Sequence, residues 1–477
     1  MCSSPTKAFL RSYNLAGGLL RLAIILVVSA ALAFVPRTFA QATIQTLFTN
    51  GPVSNSLNIV VLSEGYTSNQ LAKFITDAGK AVDTMLTYAP YAEYRSYCNA
   101  YAIAVASQQP GSDHPNSGIK VNTYFNSTYD KDLDRVITIP PNSVDGNASH
   151  GQGKVDALLD QLMPQYGLAI LLVNDLVPGG SDGFGKTALS SIAATSADIL
   201  THETGHVLAG LGDEYSTPYT GAPTAEEPNT TKETRPAFIK WKAWIEGGTP
   251  IPTPASQDYA AVIGLFQGAH YNTTGWYRPK LNCLMRSQGV PFCEVCSEAM
   301  VLAFYRAARP VDSFLPEAAS FVYSTPQPLT FELSLKRPAS HALTVRWWLD
   351  GSPVSDATSQ TLTLEPNALA NTRHTVKALV SDPTPLVRND PGQSLSQEVA
   401  WTFDANLPVV DQPRLLAGGR FVFRVQGNAA LGAVVENSSN FFDWMAVSTN
   451  SLPGGETWCT NLVTDKDLVR VFRARSP

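Results

Sequence analysis

The residues Thr201–Tyr215, THETGHVLAGLGDEY, hold the densest set of groups able to do chemistry. His202 and His206 stand four apart, so on a helix both imidazoles leave one face and can grip one metal ion. Glu203 lies about 100° round the helix from His202. That offset suits a base acting on a water at the metal better than a ligand. Catalytic zinc takes three protein ligands and leaves one position for water, so a third ligand is needed. Asp213 and Glu214 are the nearby candidates. A straight helix would carry Asp213 about 16 Å along the axis from His202. The helix must therefore break first, and Gly210 and Gly212 are where it can turn. A reversal at Gly210 favours Asp213 over Glu214 and over a distant residue.

The elements that position this set are legible in outline. Leu57–Leu62, Tyr101–Ala106 and Leu168–Val173 read as strands, being short apolar runs bounded by polar or glycine-containing segments. Asn69–Tyr88 has helical spacing, with Leu71, Phe74, Ile75, Ala78, Val82, Met85 and Leu86 on one side. Ala188–Leu211 reads as a second, buried helix carrying the two histidines. Thr217–Pro236 and Gly247–Pro254 read as surface loops. After about Pro310 the texture becomes alternating strands, Leu329–Leu335, Leu343–Leu349, Gln360–Leu364 and Thr375–Val380, with a turn signal at Asp350-Gly351. That spacing predicts a small β-sandwich. A further β module is expected from Leu407 to Pro477, with Arg420–Val425, Gly432–Glu436 and Leu468–Arg473 as strands.

Composition removes several function classes. With 477 residues, 44% hydrophobic and 16% charged, the chain is long enough for several packed domains. Net charge is −6 and no run is dense in Lys or Arg, so nucleic acid is not an expected partner. Lys7, Arg11 and Arg21 precede the apolar run Leu22–Val35, and Ala40 and Ala42 follow it. This predicts a cleaved secretory signal over residues 1–42, since the run is shorter than the roughly 20 residues of a membrane span. No later segment is apolar enough to anchor the chain. The expected location is secreted, extracellular or periplasmic. Export permits disulfides. Cys283, Cys293 and Cys296 are close in sequence, and a local disulfide is expected there, because three cysteines fall short of the four ligands of structural zinc.

Two other motifs compete for attention. Gly180–Thr187 matches G-x-x-x-x-G-K-[ST], and Gly179–Gly183 matches G-x-S-x-G. Both need the strand to feed the turn directly, yet six residues including Pro178 separate Val173 from Gly180. Neither nucleotide binding nor a serine nucleophile is expected, and the glycines fit a loop beside the metal.

The blocks LSEGYT (62–67), PGSDHP (110–115), NDLVPGGSDG (174–183), GHVLAGLGDEY (205–215), GTPIPTP (248–254), GLFQGAHY (264–271), GWYRP (275–279), CLMRS (283–287) and PFCEVC (291–296) run in this order. On them the chain, over about 57–306, resembles the IgA-peptidase-like family of secreted zinc metallopeptidases. The resemblance implies zinc held by His202, His206 and Asp213, with Glu203 as base, and a methionine turn below the metal at Met285. The chain departs from that pattern at Gln267, where an acidic residue is the rule, and at His270, where a small one is.

The expected architecture is an α+β zincin-like (metzincin-like) catalytic domain over 43–310. A β-sandwich of Ig-like architecture follows over 311–406, then a small β domain over 407–477. The expected activity is a zinc-dependent endopeptidase of extracellular proteins: zinc polarises the scissile carbonyl and acidifies its water, and Glu203 moves the proton. Tyr277, Arg278, His270 and Tyr215 are candidate donors to the oxyanion, with Tyr277 preferred. The alternative is an exported, non-catalytic, adhesin-like binding protein with a degenerate zincin domain.

Overall fold

The computed structural model describes residues 42–133, 135–140, 151–219, 224–323, 328–365, 369, 373–405, 408–427, 429, 432–462, 470–475 and 477. The expected signal segment lies outside the described residues, apart from Ala42. Among the described residues no helix is long and apolar enough to cross a membrane.

Six strands form one mixed sheet in the order Thr43–Phe48, Cys98–Ala104, Leu57–Glu64, Leu168–Val173, Ala188–Ser191, Gly180–Ser181. The four inner strands are parallel and the two outermost are antiparallel to their neighbours. LNIVVLSE and LAILLV are buried along their whole length, as strands covered on both faces must be. Their alternation feeds two cores. Ile59, Val61, Ile170 and Leu172 pack with the helices Leu71–Met85, Ala197–Ala209 and Glu294–Ala307. Val60, Leu62, Leu171 and Val173 pack against Gln152–Leu162 on the opposite face.

The single helix expected over Ala188–Leu211 is two elements. Ala188–Ser191 is a fully buried strand paired in parallel with Ile170–Val173, and the helix begins only at Ala197. A short run of small apolar residues suits either period, and an open sheet edge beside Leu168–Val173 decides for the strand. Gly180–Ser181 is the edge strand of that sheet and Gly183–Gly185 a single 3-10 turn. No helix starts on this loop, so neither a phosphate loop nor a nucleophile elbow forms. The segment expected as a surface loop over Thr217–Pro236 is partly interior, since Asn229, Thr230 and Thr231 are fully buried.

The disulfide expected among Cys283, Cys293 and Cys296 is absent. All three are free, as are Cys98 and Cys459. The Sγ atoms of Cys283 and Cys296 stand 3.7 Å apart, far beyond the roughly 2.05 Å of a disulfide.

Beyond Ala308 the regular structure of the described residues is β, apart from a 3-10 turn at Pro453–Gly455. A three-stranded sheet (Val311–Leu315, Leu329–Leu335, Thr361–Leu364) and a five-stranded sheet (Ser320–Tyr323, Ser396–Ala405, Arg373–Ser381, Thr344–Leu349, Ser352–Pro353) share one core built on Phe331, Trp347, Trp401 and Phe403. Asp350 and Gly351, at φ 51° and 79°, make the tight turn of a hairpin. Two further three-stranded sheets close over a small core of Phe423, Val425, Ala433 and Val435.

Buried polar contacts tie the sandwich to the first part of the chain. Asp382 accepts hydrogen bonds from the Tyr94 hydroxyl (2.9 Å) and the Tyr305 hydroxyl (2.5 Å) and meets His341 Nε2 at 2.5 Å. Glu298 accepts from the Trp244 indole and from the backbone N–H groups of Arg388 and Asn389.

Candidate metal centre

The helix Ala197–Ala209 carries His202, Glu203 and His206 and stops at Gly210, whose φ of 64° and ψ of 31° are left-handed. A residue without Cβ ends the helix there at no steric cost. The chain then doubles back, and the Leu211 carbonyl accepts a hydrogen bond from His206 Nδ1 at 2.6 Å. On the other side His202 Nδ1 donates to the Leu284 carbonyl at 2.9 Å. With both Nδ1 atoms donating to carbonyls, both Nε2 atoms turn inward, 3.0 Å from each other. Asp213 Oδ1 lies 3.1 Å from His202 Nε2 and 3.3 Å from His206 Nε2. It is buried, and neither approach is aligned as a hydrogen bond.

These distances test whether a metal fits. Ligand bonds of about 2.0–2.1 Å at tetrahedral angles set donor atoms about 3.3 Å apart. The triangle of Nε2, Nε2 and Oδ1 has edges near that value. Two imidazole lone pairs and an unsatisfied carboxylate oxygen converging on one point form a donor set for a cation. His202, Glu203 and His206 also gather their ligand atoms within 4.8 Å of one another.

The segment after Gly210 is held from several sides. The Gly212 N–H donates to Asn229 Oδ1 (2.7 Å) and Asn229 Nδ2 donates to the Gly212 carbonyl (2.8 Å). The Glu214 N–H donates to the Met285 carbonyl, and the N–H groups of His270 and Tyr271 donate to the carbonyls of Asp213 and Tyr215. The Tyr271 hydroxyl donates to Asp213 Oδ2. Met285 is fully buried beneath the helix. A Cβ on Gly205 would stand 3.1 Å from Met285 Sδ, so the glycine lets the helix rest on this turn.

Electrostatics follow from burial and crowding. Burial pushes the Glu203 carboxyl up to about 7 against the pull of His202 and His206. Burial works against a charged His206, but Asp213 beside it prevails and holds the imidazole up to about 10. Burial likewise opposes an ionised Asp213, yet His206 and His202 hold that carboxyl well below the usual carboxylate range.

A cavity of about 220 Å³ opens onto His202 and Glu203, and is lined also by Tyr215, Gly180, Arg135 and Arg286. Of the four candidate oxyanion donors only Tyr215 lines it. Tyr277, preferred on sequence, packs in the main core, and its backbone pairs with Thr231. Arg278 is buried and donates to the carbonyls of Gln267 and Gly268. His270 stacks on Trp276 and meets Glu227 at 3.0 Å. Tyr271 and Asn229 were not singled out by sequence, because isolated tyrosines and asparagines carry no spacing signal. Gln267 is exposed on the strand Phe266–Ala269.

The chain matches the family described as IgA Peptidase M64 over residues 45–260 and 255–304. The chain belongs to the IgA peptidase M64 family. Membership places it in a family described as peptidases. No curated protein matches the chain. Among solved structures it is similar to three N-terminal domains of the bacteriophage RB49 outer capsid protein Hoc (12% identity, 34% of this chain and 66% of that one, TM-score 0.15). It is also similar to a Bacteroides uniformis β-glucuronidase (7%, 43% and 29%, TM-score 0.14) and to an amphioxus IgVJ-C2 molecule (11%, 32% and 98%, TM-score 0.14). The chain spans under two thirds of the length of the first two, and at these scores none bears on fold or activity.

Proposed function

We propose that this M64 peptidase is an exported, zinc-dependent endopeptidase in which His202, His206 and Asp213 hold the metal and Glu203 is the general base. The observation that carries the reading is the inward-facing triangle of His202 Nε2, His206 Nε2 and the otherwise unsatisfied Asp213 Oδ1. The intact pattern around Glu203 favours catalysis over a degenerate, binding-only domain. The apolar run Leu22–Val35 behind three basic residues supports export. In domain terms the catalytic part is a zincin-like α+β unit over 43–310, followed by an Ig-like sandwich (311–406) and a β module (407–477).

Zinc in this position supplies a Lewis acid that polarises the scissile carbonyl and lowers the pKa of water. The chain's own residues do the rest. Glu203, on the cavity wall, takes a proton from the attacking water and returns it to the leaving amine nitrogen. Its carboxyl, pushed up to about 7 by burial, accepts and releases a proton near neutral pH without a large penalty either way. Tyr215, on the same wall, donates its hydroxyl to the developing oxyanion. Asp213, His202 and His206 are kept in orientation by Tyr271 and by the Leu284 and Leu211 carbonyls.

The test is cleavage of a mixed peptide library by the purified chain, read by mass spectrometry with and without a chelator. Cleavage that chelation stops and zinc restores is expected. Cleavage indifferent to chelation would overturn the metal mechanism.

A further inference from the structure

Beneath the proposed catalytic centre lies a second convergence of ligand atoms. Glu214, Cys283, Cys293 and Cys296 bring one ligand atom each within 4.8 Å of one another, and all four are buried. Sequence offered only three cysteines here; the doubling back at Gly210 delivers a fourth ligand from 69 residues away in the chain, next to Asp213. We propose that these four residues form a second, structural site for a zinc-like divalent ion, distinct from the one at His202 and His206.

The separations suit a tetrahedral thiolate site. Zn–S bonds of about 2.3 Å set tetrahedral sulfurs about 3.8 Å apart, and a carboxylate oxygen at about 2.0 Å stands about 3.5 Å from a sulfur. Cys283 and Cys296 Sγ are 3.7 Å apart, and Cys296 Sγ is 3.3 Å from Glu214 Oε1. Glu214 is fully buried and its Oε2 has no hydrogen-bond partner, while Oε1 is oriented by Asn229 Nδ2 at 2.9 Å. A buried carboxylate oxygen left unpaired is costly unless a cation meets it.

Burial pushes the Cys283 and Cys296 thiols up, so an ion must displace their protons, while hydrogen bonds from both outweigh burial at Cys293 and hold its thiol down. Cys293 caps the helix Glu294–Ala307 and Cys296 lies in its first turn, where the helix dipole stabilises negative charge. The Cys293 N–H donates to Cys283 Sγ at 3.2 Å. The buried Arg278 guanidinium adds a compensating positive charge near Glu214. Binding would release the thiol protons to solvent, with no redox change.

Such an ion would staple the floor of the active centre. Cys283 begins the turn whose next residue, Leu284, accepts from His202 Nδ1, and whose Met285 carbonyl accepts from the Glu214 N–H. Glu214 adjoins Asp213 in the chain. The site thus joins the turn under the helix, the segment bearing Asp213 and the N-terminus of Glu294–Ala307.

The experiment is metal analysis on the full exported chain and on a His202→Ala/His206→Ala variant, followed by cobalt loading of both. The expected ratio is about two ions in the parent and about one in the histidine variant. The cobalt form of each should show sulfur-to-metal charge-transfer absorption. Adding Cys293→Ser and Cys296→Ser should remove the remaining ion and that absorption. The parent's cobalt spectrum decides the matter even if the cysteine variants do not fold. A parent with no charge-transfer absorption, a disulfide within the cluster by intact mass and thiol count, or no ion retained by a folded histidine variant would each overturn the proposal. None of these readouts needs peptidase activity, so failure of the catalytic reading leaves them interpretable.

Discussion

Tyr215 and Tyr277 differ by what each hydroxyl can reach, and that difference is open to kinetics. Tyr215 lines the cavity beside His202 and Glu203, so Tyr215→Phe should lower kcat by about 10²–10³-fold, read per bound metal because its hydroxyl also meets Asp213. Tyr277→Phe should leave kcat within a few-fold; the reverse order would restore the donor favoured on sequence. Asn229 touches none of His202, His206 and Asp213, yet it holds both backbone groups of Gly212 and Glu214 Oε1. Asn229→Ala should weaken metal affinity by about 10–100-fold, read by competition with a chelator. Protons also compete for the site. In the metal-free chain Asp213 outweighs burial and holds His206 up to about 10, so below that pH loading must displace an imidazole proton. Apparent metal affinity should therefore rise with pH between about 6 and 9, with about one or more protons released per ion by calorimetry in buffers of different ionisation heat. Affinity flat with pH would contradict the assignment of His206. His202, Glu203, His206 and Asp213 were legible because their relations are set by helical spacing and one glycine. Tyr271, Asn229 and the pairing of Glu214 with the cysteines were not, since each arrives from a distant part of the chain.

The helix that carries the site works because of where it ends. Gly210 adopts a left-handed conformation that costs a residue with a Cβ about 1–2 kcal/mol. Gly210→Ala should lower stability by that amount in denaturant titration and weaken metal binding as Asp213 shifts; unchanged affinity would mean the turn does not position Asp213. At this scale the sequence spoke unevenly. The strands Leu57–Glu64 and Leu168–Val173 and the helix Leu71–Met85 stand out, since the short apolar runs are bounded by polar or glycine-containing segments and the helix carries a 3.6-residue stripe. Ala188–Leu211 did not separate into a strand and a helix, because ALSS and the residues after it are mostly small, with neither a clear alternation nor a helical stripe. In the sandwich, strict alternation over Leu329–Leu335 and the apolar positions of Thr375–Val380, between turn signals, made the strands plain.

Across the whole molecule, the sandwich is tied to the sheet domain by buried contacts. Asp382 takes hydrogen bonds from two tyrosine hydroxyls of the first part of the chain. Asp382→Ala leaves Tyr94 and Tyr305 without their acceptor and should cost about 2–3 kcal/mol. The midpoint of unfolding would fall with its slope unchanged; no loss would mean the two parts are not coupled through this residue. No sequence pattern announces Asp382, because its partners lie far away along the chain. The most direct test of the account as a whole is peptide hydrolysis by Glu203→Gln beside the parent, with metal content determined on the same samples. With Glu203 as the base, the variant keeps its metal and loses about 10²–10⁴-fold in kcat. A variant that keeps its metal and cleaves at the parental rate would contradict it.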